Sequence, residues 1–205
     1  MPRVGLTRDR VTDEAAIMAD EVGLDNLTLA ALAERLGVRQ PSLYKHIDSL
    51  AGLRRSVGCQ AKREVGDVLA RAAVGRSGPE AIRAMSHAYR EWAVEHPARY
   101  QAANAVPAPG DVEDEALSMA VVQIIADVLK SYELEGDDSV DAIRAFRSVL
   151  HGFIAFETTG SFRWSADIDR SFARLVDGFI LALAHWGELS ETPTTPAVRT
   201  DRKRS

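Results

Sequence analysis

The chain has 205 residues, of which 46% are hydrophobic and 27% charged, and its formal net charge is -5. This composition is ordinary for a folded globular protein and excludes a chain dominated by disorder. No apolar stretch approaches the roughly 18 residues of a membrane span, and no signal peptide opens the chain, so the sequence predicts a soluble, cytoplasmic protein without a membrane partner. The single cysteine, Cys59, excludes an internal disulfide and a multi-cysteine zinc site.

The charge is divided unevenly along the chain. Residues 1–63 contain 10 lysines and arginines against 8 acidic residues, whereas residues 64–198 contain 11 against 21. The tail from Arg199 to Ser205 adds 4 basic residues and 1 acidic residue. This asymmetry indicates that the N-terminal segment approaches a polyanion while the acidic body stays away from it, although solvated helical proteins also show such differences.

Three short helices are predicted at the N-terminus. Apolar residues recur at helical spacing up to Gly23, which fits a C-terminal helix cap. Thr28 is a side-chain cap for a second helix, which Gly37 ends. Pro41 fits the first turn of a third helix that ends near His46. These elements form the predicted helix-turn-helix.

A longer helical series follows. Ser49 caps a connecting helix that runs to a break at Gly75–Gly78, and Val106–Gly110 is the clearest loop. The remaining helices are predicted at about 79–96, 98–105, 112–133, 139–159 and 167–187. No segment alternates with the period of a strand, so we predict no sheet. The expected fold is all-α, with about nine helices and a three-helix N-terminal domain joined to a larger C-terminal bundle.

The third helix has the residue types of a DNA-recognition element. Only Gly37 and Val38 separate it from the second helix, the geometry that presents a helix to the major groove. Arg39 and Gln40 are predicted to reach base edges, since arginine pairs with guanine and glutamine with adenine. An exposed polar helix without a ligand is the alternative interpretation. The other predicted DNA-contact residues position the segment or hold phosphates: Thr28, Pro41, Ser42, Tyr44, Lys45, His46 and Ser49.

The run from Thr28 to His46 resembles the DNA-binding domain of the tetracycline-repressor (TetR) family. Its pattern is an initial Thr, an Ala-x-x-x-Gly-Val spacing and a Leu-Tyr-x-His sequence, here Thr28, Ala33, Gly37, Val38, Leu43, Tyr44 and His46. Ile47 stands where the family most often has Phe, and Asp48–Leu50 replace a lysine that is common shortly after it. The match covers residues 1–55 and implies a regulator that binds double-stranded DNA.

The second half resembles the C-terminal regulatory domain of one branch of that family. The matching residues are His96–Tyr100, Leu150–Phe153, Phe162 and Asp169–Leu183, with Leu150 in place of the Trp that commonly precedes the His-Gly pair. The resemblance implies a homodimer, and two apolar helical stripes agree with it. Burial of these stripes within one subunit is the alternative. The predicted interface residues are Phe153, Phe172, Leu175, Val176, Phe179, Ile180 and Leu183.

The central helices supply aromatic and sulfur-containing side chains for a cavity that would hold an apolar effector. The ligand site is an implication of the resemblance, and an ordinary core is the alternative. The residues predicted to line the cavity are Tyr89, Trp92, Tyr100, Phe146, Phe153 and Phe156.

The sequence therefore predicts a homodimeric repressor that a small effector releases from a near-palindromic operator. A DNA-binding regulator without small-molecule control and an all-helical enzyme or carrier are the alternatives. No cofactor, metal site or catalytic residue is expected, because the histidines are dispersed and no glycine-rich phosphate loop or nucleophile–base set is present. The predicted organisation is a DNA-binding domain over 1–55, a ligand-binding and dimerisation domain over 56–187 and a disordered tail over 188–205.

Overall fold

The computed structural model describes residues 5–189, and within that range every regular element is a helix. The predicted all-α fold is confirmed. The α-helices are α1 (Arg8–Val22), α2 (Leu29–Arg35), α3 (Leu50–Ala73), α4 (Gly78–Glu95), α5 (Pro97–Ala103), α6 (Val112–Leu129), α7 (Gly136–Thr158), α8 (Ile168–Ala184) and α9 (Trp186–Leu189). Short 3-10 helices occur at Leu24–Asn26, Gln40–Lys45 and Lys130–Tyr132.

Side-chain caps set the starts of three N-terminal helices. The hydroxyl oxygens of Thr7, Thr28 and Ser49 accept hydrogen bonds from the backbone N–H three residues later, at 3.2, 3.3 and 3.0 Å. Such a bond satisfies one of the backbone donors that a helix start leaves unpaired. Gly37, after α2, has a φ of +66°, a left-handed conformation that favours glycine.

Two hydrophobic cores share α3. The smaller N-terminal core is built on fully buried Leu27, Leu32, Leu43 and Leu53. The larger C-terminal core joins the second half of α3 to α4, α6, α7 and α8; within it, the Phe146 and Phe179 rings lie 5.3 Å apart. Because α3 contributes Val57 to the first core and Ala61 onward to the second, it is the connecting helix that the sequence predicted.

The later helices end slightly earlier than predicted. The element expected over 112–133 is α-helical only to Leu129, after which a 3-10 turn leads to Glu133 at a φ of +54°. The helix expected over 167–187 ends at Ala184, and α9 begins at Trp186. The predicted disordered tail lies outside the described residues except for 188 and 189, which belong to α9. Within 5–189, no helix has both the length and the apolar character of a bilayer span.

Candidate nucleic-acid interface and interior cavity

The predicted recognition segment is a 3-10 helix, Gln40–Lys45, rather than an α-helix. Pro41 occupies its first turn, where the missing N–H costs nothing. Leu43 is fully buried and Ile47 is 5% exposed, so both anchor the segment in the N-terminal core. The intervening polar side chains consequently point away from the protein.

The predicted DNA-contact residues lie together on this outer surface. Arg39, Gln40, Pro41, Tyr44 and Lys45 are exposed. Ser42 and His46 are half-buried. Among residues 5–189 no hydrogen bond or ion pair engages the side chains of Arg39, Gln40, Tyr44 or Lys45, so their polar groups are available to a ligand.

Thr28 and Ser49 flank the recognition segment and are both exposed. Each uses its hydroxyl oxygen to cap a helix, α2 or α3, and keeps its O–H proton for a further acceptor. Exposed Asp48 and half-buried Leu50 stand beside Ser49, so this edge of the surface lacks a lysine. Pro41 offers no donor and contributes only apolar contact and backbone geometry.

A cavity of about 550 Å³ lies among the helices of the larger core. This volume is within the range of small-molecule sites, roughly 300–1,000 Å³. Its wall is formed by α3, α4, the end of α5 with the α5–α6 connection, α6 and α7. The lining residues are Lys62, Val65, Leu69, Tyr89, Ala103, Asn104, Ala105, Val106, Pro107, Ser118, Met119, Val121, Val122, Ile125, Arg144, Phe146, Arg147, Ser148, Leu150 and His151.

Two of the six predicted lining residues, Tyr89 and Phe146, face this cavity. Trp92 is buried in the core against His96, with the ring centroids 5.7 Å apart. The Tyr100 hydroxyl shares a hydrogen bond with His151 Nδ1, so its polar end is satisfied inside the protein. These two aromatic side chains are therefore core residues outside the cavity lining.

Phe153 and Phe156 also lie outside the cavity lining. The Phe153 ring packs between Phe162 and Phe172, with centroid distances of 4.8 and 5.1 Å. Phe156 is 58% exposed. The α5–α6 connection and α6 supply nine of the lining residues, and the sequence predicted none of these nine. A usable signal was the Val121–Ile125 run, in which apolar residues cover more than one face of a helix.

A buried ion pair closes one side of the cavity. Lys62 Nζ lies 2.5 Å from Asp114 Oδ1 and donates to the Ala105 carbonyl at 3.3 Å. At another point of the wall, Asn104 Nδ2 donates to the Tyr89 hydroxyl at 3.3 Å. Burial raises the pKa of the Tyr89 phenol, which stays a neutral hydroxyl at physiological pH.

Cys59 is a buried neighbour of this ion pair, with Sγ 3.8 Å from Asp114 Oδ1. Burial raises the pKa of its thiol, which disfavours the reactive thiolate. The histidines are dispersed: His87 packs on Phe172, and His96 Nδ1 lies 3.3 Å from Asp20. Over the described part of the chain, no three His, Cys, Asp or Glu residues are grouped as metal ligands.

Helix α5 joins the cavity to the N-terminal core. Its last residue, Ala103, lines the cavity, while Ala102 packs into the N-terminal core. At its other end, Asp20 of α1 accepts hydrogen bonds from the backbone N–H groups of Ala98 and Arg99, at 3.0 and 3.1 Å, and from Arg99 Nε at 2.6 Å. A displacement of α5 would therefore act directly on α1.

Glycine allows α3 to approach α5 closely. A Cβ atom added at Gly58 would lie 3.2 Å from the Ala102 carbonyl oxygen, tighter than most such contacts in proteins. The two helices are thus in near-direct backbone contact at the border of the two cores.

Most of the predicted dimer-interface residues are covered within one chain. Five of them are at most 7% exposed because α8 turns this stripe toward α4 and α7: Phe172, Val176, Phe179, Ile180 and Leu183. Phe153 and Leu175 are half-buried. The outer face of α7 and α8 instead presents Phe156, Gly178 and Leu181, the last of which is 67% exposed.

Two segments of this chain match the sequence models of known protein families. Residues 11–57 match "Bacterial regulatory proteins, tetR family", and residues 82–179 match "Tetracyclin repressor-like, C-terminal domain". The first range contains the recognition segment and its core, and the second contains most of the cavity wall.

Similar proteins extend over most of the chain. The uncharacterized HTH-type transcriptional regulator Rv0681 of Mycobacterium tuberculosis is 38% identical over 90% of this chain and 87% of its own length. The uncharacterized HTH-type transcriptional regulator YobS of Bacillus subtilis is 33% identical over 89% of this chain and 95% of its own length.

Among solved structures, a variant of TetR from Acinetobacter baumannii AYE in complex with minocycline has the same fold. It superposes with a TM-score of 0.65, covering 92% of this chain and 100% of that one at 20% identity. TetR-family proteins are non-enzymatic transcription factors. From the two matching domains and the two relatives, we conclude that this chain belongs to the TetR family and is a DNA-binding transcriptional regulator.

Proposed function

We propose that the protein is a homodimeric repressor that a small molecule releases from a near-palindromic operator. The observation that carries this proposal is the double role of α5, which walls the cavity at Ala103 and is bound to α1 at Asp20. A ligand that displaces the wall would move α5, and α5 would then tilt the N-terminal core that holds the recognition segment. In a dimer, such a tilt changes the distance between two recognition segments.

The DNA contacts follow from exposure and chemistry. Arg39 and Gln40 lie at the start of the recognition segment and would reach base edges in the major groove. Tyr44, Lys45 and His46, with the capping residues Thr28 and Ser49, would hold phosphates. Ser42 would supply a further hydroxyl, and Pro41 an apolar contact. The absence of intramolecular partners for the exposed polar groups within residues 5–189 supports this division.

Dimerisation would use the outer face of α7 and α8. Exposed Leu181 and Phe156, half-buried Leu175 and the small Gly178 lie on this side of the two helices. A two-fold arrangement of these helices would cover apolar surface in both subunits and would place two DNA-binding domains on one side of the dimer.

The domain limits and the family branch are part of the same proposal. The two cores, which divide α3 between Val57 and Ala61, support two domains, with the proposed limits 1–55 for DNA binding and 56–187 for regulation. The Tyr100–His151 hydrogen bond joins the two segments that carry the resemblance to the branch with a Trp-His-Gly motif. Since the protein acts on the chromosome of a bacterium, its proposed location is the cytoplasm.

The experiment that tests the function starts with in vitro selection of operator DNA by the full-length protein. Selected DNA should contain two related half-sites, and a chemical library screened by fluorescence anisotropy should contain compounds that release it. Val122→Trp, which fills the cavity, should retain operator affinity and lose release, whereas exposed Val94→Trp should behave as wild type. Release that persists in Val122→Trp would contradict the cavity as the effector site, and a screen without any release would favour a regulator without small-molecule control.

A further inference from the structure

The cavity is positively charged within an otherwise acidic domain. Among its described lining residues, Lys62, Arg144 and Arg147 are cationic and none carries a carboxylate. The surrounding residues 64–198 have 11 lysines and arginines against 21 acidic residues. A wall without carboxylates therefore differs from the acidic composition of the surrounding residues, and it indicates that the ligand is negatively charged.

The three cations are not equally compensated. Lys62 is neutralised by Asp114 at 2.5 Å. Arg144 has only an exposed contact with Asp141, at 3.3 Å on the same helix, and such surface pairs contribute little. For Arg147 the described part of the chain provides no ion pair. The two cations without a buried partner, Arg144 and Arg147, are thus exposed side chains of α7 that line the cavity.

These arginines belong to one polar stripe. Arg144, Arg147, Ser148 and His151 follow the i, i+3, i+4, i+7 spacing of one helix face, and all four line the cavity. The facing wall is apolar and includes Val65, Leu69, Val121, Val122 and Ile125. One side of the cavity therefore suits a charged head group, and the other suits an apolar body.

We propose that the effector is an amphipathic organic anion whose carboxylate pairs with Arg147 and Arg144 while its apolar body packs against α3 and α6. This inference rests on the proposed function, because it takes the cavity as the effector site. A guanidinium binds a carboxylate through two parallel hydrogen bonds, which gives arginine its preference for this group. Ser148 extends the same polar stripe with a hydroxyl donor.

The test compares three probes with the same ten-carbon tail: decanoate, decan-1-ol and decylammonium. Their binding to the full-length protein is measured by isothermal titration calorimetry at low salt. Decanoate should bind at least about tenfold more tightly than decanol, because hydrogen bonds to a charged partner exceed neutral ones by that factor. Decylammonium should bind most weakly, since it meets like charges.

Two variants locate the charge preference. In the double variant Arg144→Gln with Arg147→Gln, decanoate and decanol should bind with affinities within about threefold of each other. Decanol binding itself should be unchanged. Arg163→Gln, which removes a charge from the exposed α7–α8 connection, should keep the full preference for decanoate. Circular dichroism checks that each variant folds.

Two results would overturn the inference while leaving the cavity as an effector site. One is equal or inverted affinity across the three head groups, and the other is an undiminished decanoate preference in the double arginine variant. Failure of all three probes to bind a protein that still binds its operator would contradict this inference, whereas release in Val122→Trp separately decides whether the cavity is the effector site.

Discussion

Side-chain burial changes from one residue to the next in the recognition segment. Leu43 has no exposed surface, while its neighbour Tyr44 is 53% exposed. The tight 3-10 turn makes this alternation possible, because with three residues per turn successive side chains point about 120° apart around the axis. The position of the polar side chains therefore depends on Leu43 and Ile47 as much as on the polar residues themselves.

Gln40 and Lys45 should contribute to DNA binding in different ways. Gln40→Ala should cost about 1–3 kcal/mol on the operator and relax base preference at one position of each half-site. Lys45→Ala should weaken binding to operator and random DNA alike and lower the slope of log affinity against log salt by about 1. Fluorescence anisotropy on both DNAs over a range of salt measures these effects. Gln101→Ala, an exposed change on α5, is the control, and equal losses on both DNAs for both variants would refute the division of roles.

At the scale of elements, local and non-local features differ in how far the sequence predicts them. The caps at Thr28 and Ser49 and the turn at Gly37 were predictable because each depends on a hydrogen bond or a dihedral angle within a few residues. The cavity wall was not, because it depends on how five segments meet. Trp92 and Tyr100 have the residue types of a ligand site, yet tertiary packing turns them into the core.

The contact between α1 and α5 should transmit the effector signal. Asp20→Asn removes the charge that holds two backbone N–H groups and the Arg99 guanidinium, and should lower the free energy of unfolding by about 1–3 kcal/mol. Operator affinity should change little, because the recognition segment is untouched, but more effector should be needed for release. Urea unfolding and an anisotropy titration measure the two quantities. Asp9→Asn, an exposed change in the first turn of α1, is the control; unchanged release in Asp20→Asn would exclude this route.

The ion pair between Arg55 of α3 and Asp111, the cap of α6, should contribute to stability in a pH-dependent way. Hydrogen bonds from Arg55 hold the pKa of Asp111 at about 2, below its ordinary value of 3.8. Because the folded-state pKa is the lower one, the stabilisation is fully present above the ordinary pKa and is lost as the pH falls from there through about 2. The difference in unfolding free energy between wild type and Asp111→Asn should thus be constant from pH 7 to about 5 and shrink below about pH 4.

Urea unfolding at successive pH values, down to the lowest at which both proteins fold, measures this difference. Asp67→Asn, an exposed change on α3, corrects for the general effect of removing a carboxylate. A difference that does not change with pH would show that the charge of Asp111 is not the source of the stabilisation, since the asparagine keeps the α6 cap.

On the scale of the whole molecule, α7 and α8 each have one side packed in the core and another side that faces away from it. The inner stripe of α8, with Phe172 and Phe179, is buried against α4 and α7. Leu181 lies on the opposite side. The sequence predicted a subunit interface for this stripe, but an amphipathic pattern alone does not determine whether a helix buries it against its own chain or against a partner. The structure of one chain separates the two surfaces and allows them to be tested independently.

Charged substitutions on the two sides of α8 should therefore have different consequences. Leu181→Glu should leave the chain folded and shift the sedimentation coefficient from dimer toward monomer, because it puts a charge into the proposed interface. Phe179→Glu should unfold the chain, since a carboxylate cannot be buried unpaired in the core without a cost of several kcal/mol. Sedimentation velocity and circular dichroism distinguish dissociation from unfolding, and Arg170→Glu on the exposed first turn of α8 controls for added negative charge. A Leu181→Glu protein that remains dimeric would place the subunit contact elsewhere. Because a dimer presents two recognition segments at a fixed spacing, dissociation should also abolish selective operator binding while weaker binding to random DNA persists.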